Sequence, residues 1–204
     1  MPRASNPNIC LAILAAGQSR RFGEADKLVQ LLNGRMLGVH VAATLASLNV
    51  TSRMVITSAG DHPCADEWSS FGYGVAVNKN ASQGLGTSVA MAAHVAMDFS
   101  ADALLVCLAD MPFVPVDHFE RLIDTFQSND GAAIIASYGG TTVSPPALFD
   151  KTLFAKLAEF DGNTGARNML SSATRVLINP DLLADIDTPE QLRKANAGAG
   201  FRSD

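Results

Sequence analysis

Short apolar runs alternate with longer stretches of helical period along most of the chain. CLAILAA (10–16), MLGVHVAATLASL (36–48), RMVITS (53–58), VAMAAHVAM (89–97), ALLVCLAD (103–110), FERLIDTF (119–126) and GAAIIAS (131–137) follow one another in that order. Strand-like runs separated by helical patterns predict βαβ units, and hence an α/β fold with a mostly parallel sheet and helices on both faces. The runs around Leu11 and Leu104 are apolar almost throughout, so they read as central strands buried on both sides. With no internal repeat or long linker, the pattern predicts one domain over residues 9–196. An N-terminal extension (1–8) precedes it, and a Gly-rich tail (197–204) that should be flexible follows.

Open parallel sheets bind ligands at the carboxyl ends of their strands, near the point where strand order reverses. Four stretches with unusual polar residues fall at such ends: Gly17 to Lys27, ASQGLGTS (81–88), the LADMP turn at Asp110, and ADIDTP (184–189). The first follows a strand with small residues. Ala15, Ala16 and Gly17 would let a phosphate chain approach turn N–H groups, with Arg20 and Lys27 meeting its charge. The stretch is neither GxxxxGK[ST] nor GxGxxG, so ATPase and dinucleotide-dehydrogenase readings lose ground. A solvated turn with arginines facing water is the competing reading.

The other three ends also admit two readings. Gly84 and Gly86, with Thr87 and Ser88 ahead of a helix expected near Val89, could present N–H groups and a helix dipole to a base or anion; alternatively Thr87 or Ser88 is a helix cap. Asp110 closes the most apolar strand, where a carboxylate needs a cation or a metal. Its alternative role, capping a helix from about Val116, suits Asp117 better. Asp185 and Asp187 flank Ile186, which predicts both on one face of a short strand, and Thr188 followed by Pro189 reads as a helix start.

Composition narrows the function classes. The chain has 204 residues, 48% of them hydrophobic and 17% charged, as expected of a compact domain, and its net charge of −5 argues against nucleic-acid or anionic-membrane partners. No apolar run reaches the roughly 18 residues of a membrane helix, and MPRASNPN lacks an apolar core, so a cytoplasmic protein is expected. Cys10, Cys64 and Cys107 lack CxxC spacing and read as reduced thiols, Cys10 and Cys107 as small buried hydrophobes. His40, His62, His94 and His118 are scattered, His40 and His94 in helical patterns and His62 and His118 beside turns, so no zinc site is expected. Ser19 lacks GxSxG surroundings. Met91 and Met97 read as core filler.

The stretch LAAGQSRRFGEADKL (14–28) resembles the signature loop LA[AG]GxSxRxGxxK of the nucleotidyltransferases related to molybdenum-cofactor guanylyl- and cytidylyltransferases, which wraps a nucleoside triphosphate. ASQGLGTSVAMA is similar to that family's second Gly-rich loop, LADMPFV to its metal-binding turn, and DGNTGARNML with LADIDTPEQL to its C-terminal landmarks, so the resemblance runs from Leu11 to Leu192. It implies a three-layer, Rossmann-like nucleotidyltransferase fold and transfer of a nucleoside monophosphate to a phosphorylated acceptor, with pyrophosphate released. It implies Lys27, Arg20 and Asp110 as catalytic residues. The nucleotide would be bound by Leu14, Ala15, Ala16, Gly17, Ser19, Arg20, Lys27, Gln83, Gly84, Gly86, Thr87 and Ser88. Asp110 and Asp187 would hold Mg2+, and Asp185 and Arg167 would face the acceptor. LAAG resembles the cytidylyl branch, which implies CTP, a molybdopterin-type acceptor and a recipient molybdoenzyme. A sugar- or alcohol-phosphate nucleotidyltransferase and a non-catalytic cofactor-delivery protein are the alternatives.

Overall fold

Every residue of the first strand, β1 (Ile9–Ala15), is buried, yet its side chains enter two different cores. The computed structural model describes residues 6–23, 25–129, 131–162 and 166–198, without the side chains of Arg20, Ala166 and Arg167. Within them the further strands are β2 (Leu31–Leu32), β3 (Arg35–Met36), β4 (Ser52–Thr57), β5 (Gly74–Val77), β6 (Ala103–Leu108), β7 (Ile134–Tyr138), β8 (Val143–Asp150) and β9 (Thr174–Leu177). The helices are α1 (Leu37–Thr44), α2 (Ala65–Ser70), α3 (Leu85–Asp98), α4 (Val116–Ser128), α5 (Phe154–Ala158), α6 (Ala166–Leu170) and α7 (Pro189–Asn196).

Side chains alternate across a strand, so a run apolar at every position must be covered on both sides. Ile9, Leu11, Ile13 and Ala15 meet Val39 and Val41 of α1, Trp68 of α2, and Phe119, Leu122 and Phe126 of α4. Cys10, Ala12 and Leu14 meet the opposite layer, where Val89, Ala92, Ala93 and Ala96 of α3 join Phe154 and Leu157 of α5. Helices thus cover both faces of the sheet, as the alternating runs predict, in the three-layer, Rossmann-like architecture that the resemblance implies. No helix among the described residues is long and apolar enough to cross a membrane.

Seven strands form the main sheet in the order β5-β4-β1-β6-β8-β7-β9. Its pairings are parallel except those made by β8, which runs antiparallel to both β6 and β7. From β1 the chain first builds outward through β4 and β5, then returns to place β6 on the other side of β1. The switch point therefore lies between β1 and β6, and a crevice opens beyond their carboxyl ends. Strand β8 is absent from the pattern of apolar runs because it carries Pro145 and Pro146, which cannot donate to a ladder. The prolines sit where the β7–β8 register shifts between Ala136 and Ser137, and the Ser137 hydroxyl donates to the Pro146 carbonyl at 2.8 Å.

Several local expectations are corrected. Helix α4 has Pro115 as its N-cap with no side-chain cap, so Asp117 lies in the first turn and is not the cap. His118 lies inside α4, and Met97 is partly exposed, whereas Met91 packs on the alanine-lined core. Residues 184–187 are not a strand: they follow a short 3-10 helix (Pro180–Leu183) and lead into α7, which Thr188 caps by accepting from the Gln191 N–H.

His118 is buried in a network that sets its tautomer. Ser137 spends its proton on Pro146, so it accepts from His118 Nε2–H at 2.8 Å, while His118 Nδ1 accepts from Arg121 Nη2 at 3.0 Å. Burial, reinforced by the Arg121 charge and only partly opposed by Asp117, pushes the imidazole pKa down to about 4 from 6.5. A native pKa below the unfolded one contributes stability that is present above pH 6.5 and lost as pH falls towards 4. Wild-type protein should lose about 3 kcal/mol more than a His118→Gln variant between pH 7 and pH 4. Urea titrations at both pH values check this, and equal acid slopes would remove His118 from the balance.

Candidate active site

β1 ends at Ala15; the loop continues through Ala16 and Gly17, small residues that leave room above the strand end, and then turns at Ser19, whose φ of 47° lies in the left-handed region. A single 3-10 turn (Arg20–Phe22) follows, closed by the Phe22 N–H on the Ser19 carbonyl. A second 3-10 turn, Lys27–Val29, is capped by Asp26, whose Oδ1 accepts from the Leu28 N–H at 2.9 Å. The Lys27 N–H in turn donates to Ser19 Oγ at 3.3 Å. The backbone thus folds back on itself and aims the Lys27 side chain inward, under the strand ends.

Lys27 is buried, and its Nζ lies 2.5 Å from Asp110 Oδ2 and 2.7 Å from Asp187 Oδ1. Burial alone would push the ammonium pKa down, but the two carboxylates outweigh it and hold it above its ordinary value. Arg21 Nη1 reaches Asp187 Oδ2 at 2.9 Å from the solvent side. The Ile186 N–H donates to the Asp110 carbonyl at 2.9 Å, which stitches the turn after β6 to the segment before α7. Asp185 is exposed at this rim; partial desolvation and the nearby charges of Asp187 and Asp110 raise its carboxyl pKa.

Beside this cluster lies a cleft of about 340 Å3, lined by residues 14–19, Lys27, Leu28, Ala81, Ser82, Gly84, Leu85, Ser88, Leu108, Ala109 and Asp110. Leu14, Ala15, Ala16, Gly17, Ser19, Lys27, Gly84, Ser88 and Asp110 are therefore brought together as the sequence predicts. Asp187 joins them through the Lys27 ammonium. Gln83, Gly86 and Thr87 do not line the cleft. The side chains of Arg20 and Arg167 lie outside the described residues. Arg21, passed over in favour of Arg20, is where the S-x-R spacing counted from Ser19 falls.

The second loop departs from expectation because α3 starts at Leu85, four residues early, after Gly84 at φ 132°. Thr87 and Ser88 lie in the first turn and do not cap the helix. The N–H of Gly84 is taken by the Ala81 carbonyl, and that of Gly86 by the Gly162 carbonyl at 2.7 Å, so neither is a bare donor for a base. A Cβ on Gly86 would stand 2.7 Å from Gly162 O and 2.8 Å from Asp161 O. The glycine is needed for this close approach, and Gly86→Ala should destabilise the fold by about 1 to 3 kcal/mol, measurable by urea denaturation. An unchanged midpoint would mean the 161–162 segment yields freely. Asn78, just beyond β5, was missed: buried, it donates from Nδ2 to Thr87 Oγ1 and Ser88 Oγ, both at 2.9 Å. Its signal is an amide directly after the apolar end of VAV.

The model of the MobA-like NTP transferase domain matches residues 11–176. The chain belongs to that family. Among its relatives, purine catabolism protein PucB of Bacillus subtilis is 31% identical, over 91% of this chain and 95% of its own length. A molybdenum cofactor guanylyltransferase of Cereibacter sphaeroides is 30% identical, over 91% and 94%. A nucleotidyl transferase structure from Methanothermobacter superposes with a TM-score of 0.75 at 20% identity, covering 96% of this chain and 98% of that one. In this MobA-like chain the matched segment includes the signature loop and Asp110, while Asp187 lies beyond it.

Proposed function

We propose that this MobA-like protein moves a nucleoside monophosphate, CMP for preference, from a nucleoside triphosphate to the phosphate of a molybdopterin-type acceptor. An acceptor phosphate oxygen forms the new bond to the α-phosphorus, the α–β bridging bond breaks, and pyrophosphate leaves with that electron pair. The observation that carries this reading is the placement of the Lys27 ammonium between Asp110 and Asp187, at the edge of a cleft walled by the small residues of the signature loop. Such a transfer needs in-line positioning and a place for growing negative charge rather than a covalent intermediate. Lys27 supplies the positive charge that meets it, and the small residues Ala16 and Gly17 let the phosphates come close enough to use it. The Asp110 and Asp187 carboxylates keep the ammonium protonated and oriented, and Arg21 braces Asp187.

The donor set fits a hard divalent cation such as Mg2+. Asp110 Oδ1 is buried with no hydrogen-bond partner among the described residues, and Asp187 presents a second carboxylate across the Lys27 ammonium. Among the described residues no group of three or more His, Cys, Asp and Glu is placed to hold a metal, so phosphate oxygens would complete the shell, as is usual for Mg2+. Asp110 and Asp187 would hold the ion, which when bound neutralises and orients phosphate oxygens.

CTP is favoured because LAAG, with Ala16 bordering the cleft, resembles the cytidylyl branch. The experiment is pyrophosphate release with CTP, GTP, ATP and UTP in turn, each with Mg2+ and a molybdopterin-type acceptor. CTP should give the highest kcat/KM, by about tenfold or more, since each buried polar group left unpaired by a wrong base costs roughly 1 to 3 kcal/mol. A GTP preference would replace the base assignment alone. No release with any nucleotide would remove the transferase reading.

A further inference from the structure

Asp26 stands next to Lys27 but points the other way. Its Oδ1 accepts from the Leu28 N–H at 2.9 Å and from Ser19 Oγ at 3.5 Å, while its Oδ2 accepts from His62 Nε2–H at 2.9 Å. His62 has no freedom to choose another orientation. Its Nδ1 accepts from the Cys64 N–H at 3.1 Å, which leaves the proton on Nε2, and its ring stacks on Trp68 with centroids 4.9 Å apart and planes 24° apart. Trp68 is itself fully buried and donates from Nε1 to the Gly38 carbonyl at 2.9 Å. A continuous pillar therefore runs from the α1–α2 core through Trp68, His62 and Asp26 to the two points that shape the signature loop. Those points are the left-handed turn at Ser19 and the 3-10 turn that starts at Lys27.

The loop needs such a support. Ser19 occupies a region that non-glycine residues rarely adopt, and the hydroxyl that receives the Lys27 N–H belongs to the same residue. A carboxylate held on one side only could swing to solvent; His62 fixes its other oxygen. Burial would raise the Asp26 pKa, but the bonds from His62 and the Leu28 N–H outweigh it and keep the carboxylate ionised.

We propose that His62 is a positioning residue of the phosphate loop: through Asp26 it holds the Ser19 and Lys27 turns so that the Lys27 ammonium is delivered to the reacting phosphates. The proposal rests on the nucleotidyl-transfer reading above. In the free protein its geometric part is independent of any nucleotide, and the two can fail separately.

The test compares His62→Leu, which keeps bulk and loses the donor, with His62→Gln, whose amide can still donate to Asp26. A cooperative urea transition and an unchanged far-UV spectrum show that each variant is folded, since the near-UV signal of Trp68 depends on the His62 ring stacked on it. In His62→Leu, the Lys27 and Leu28 amides should exchange faster by NMR than in wild type, while those of β1 and β6 hold their rates. Its kcat should fall about 10- to 100-fold, as misplacement of a catalytic group by an ångström does, while the nucleotide KM moves less than about threefold. His62→Gln should restore most of both. Unchanged exchange at Lys27 and Leu28, or a rise spread evenly over the sheet with kcat per folded molecule unaltered, overturns the positioning role and makes His62 a packing residue. Wild-type protein that exchanges as expected yet releases no pyrophosphate overturns the transferase reading instead.

Discussion

Asp110→Asn should lower kcat by on the order of a thousandfold, the scale seen when one fixed electrostatic contact to a transition state is removed. The same substitution should change stability by only about 1 kcal/mol. The asymmetry follows from what each oxygen does. Oδ2 holds the Lys27 ammonium at 2.5 Å, and an asparagine oxygen can still accept there, while Lys27 keeps Asp187 at 2.7 Å as a full ionic partner. Oδ1 is buried and has no hydrogen-bond partner among the described residues, so none of their contacts depends on it. Its desolvation is sensible only if a ligand completes it, and a neutral amide cannot serve a cation as a carboxylate does. Pyrophosphate release alongside urea denaturation reads both sides. Near-normal turnover in a folded variant would end the assignment. Inactivity accompanied by a large loss of stability would make Asp110 structural.

What was legible in the sequence divides by how far apart the interacting residues are. β1 and β6 could be read because their continuous apolar runs leave no polar face, and the signature loop because Ala-Ala-Gly at a strand end is a local fact. The meeting of Asp110 and Asp187 at one ammonium could not be read from spacing. It depends on the switch point between β1 and β6 and on the Ile186 N–H bonding back to the Asp110 carbonyl. Gly86 shows the same limit: a glycine in a loop suggests a donor to ligand, but the reason for it here is the 161–162 backbone, 76 or so positions away in the chain. Strand β8 was hidden by its prolines, tolerated at a register shift that no local pattern announces. His62 read as one of four scattered histidines, and only the fold brings it to Asp26.

The other large effect is expected at Lys27. Lys27→Met should lower kcat about a hundredfold or more and also raise the nucleotide KM, because a cation that touches the leaving phosphates helps in the ground state and more in the transition state, where their charge grows. It should also alter stability with a definite sign. In wild type the ammonium pKa is held above its ordinary 10.5 by Asp110 and Asp187, so its contribution is present at neutral pH and is lost only as pH rises past that range. Without it the two carboxylates face each other, and among the described residues Arg21 is the cation left on Asp187. The stability deficit of Lys27→Met should therefore be present at neutral pH and shrink only as pH rises past about 10.5, where the wild-type ammonium gives up its proton. Urea midpoints from about pH 7 to 12, paired with kcat and KM for nucleotide and acceptor at neutral pH, read both effects. A variant altered only in acceptor KM would move Lys27 to the other side of the site, and a deficit independent of pH would mean that its aliphatic packing, rather than its charge, holds the strand ends together.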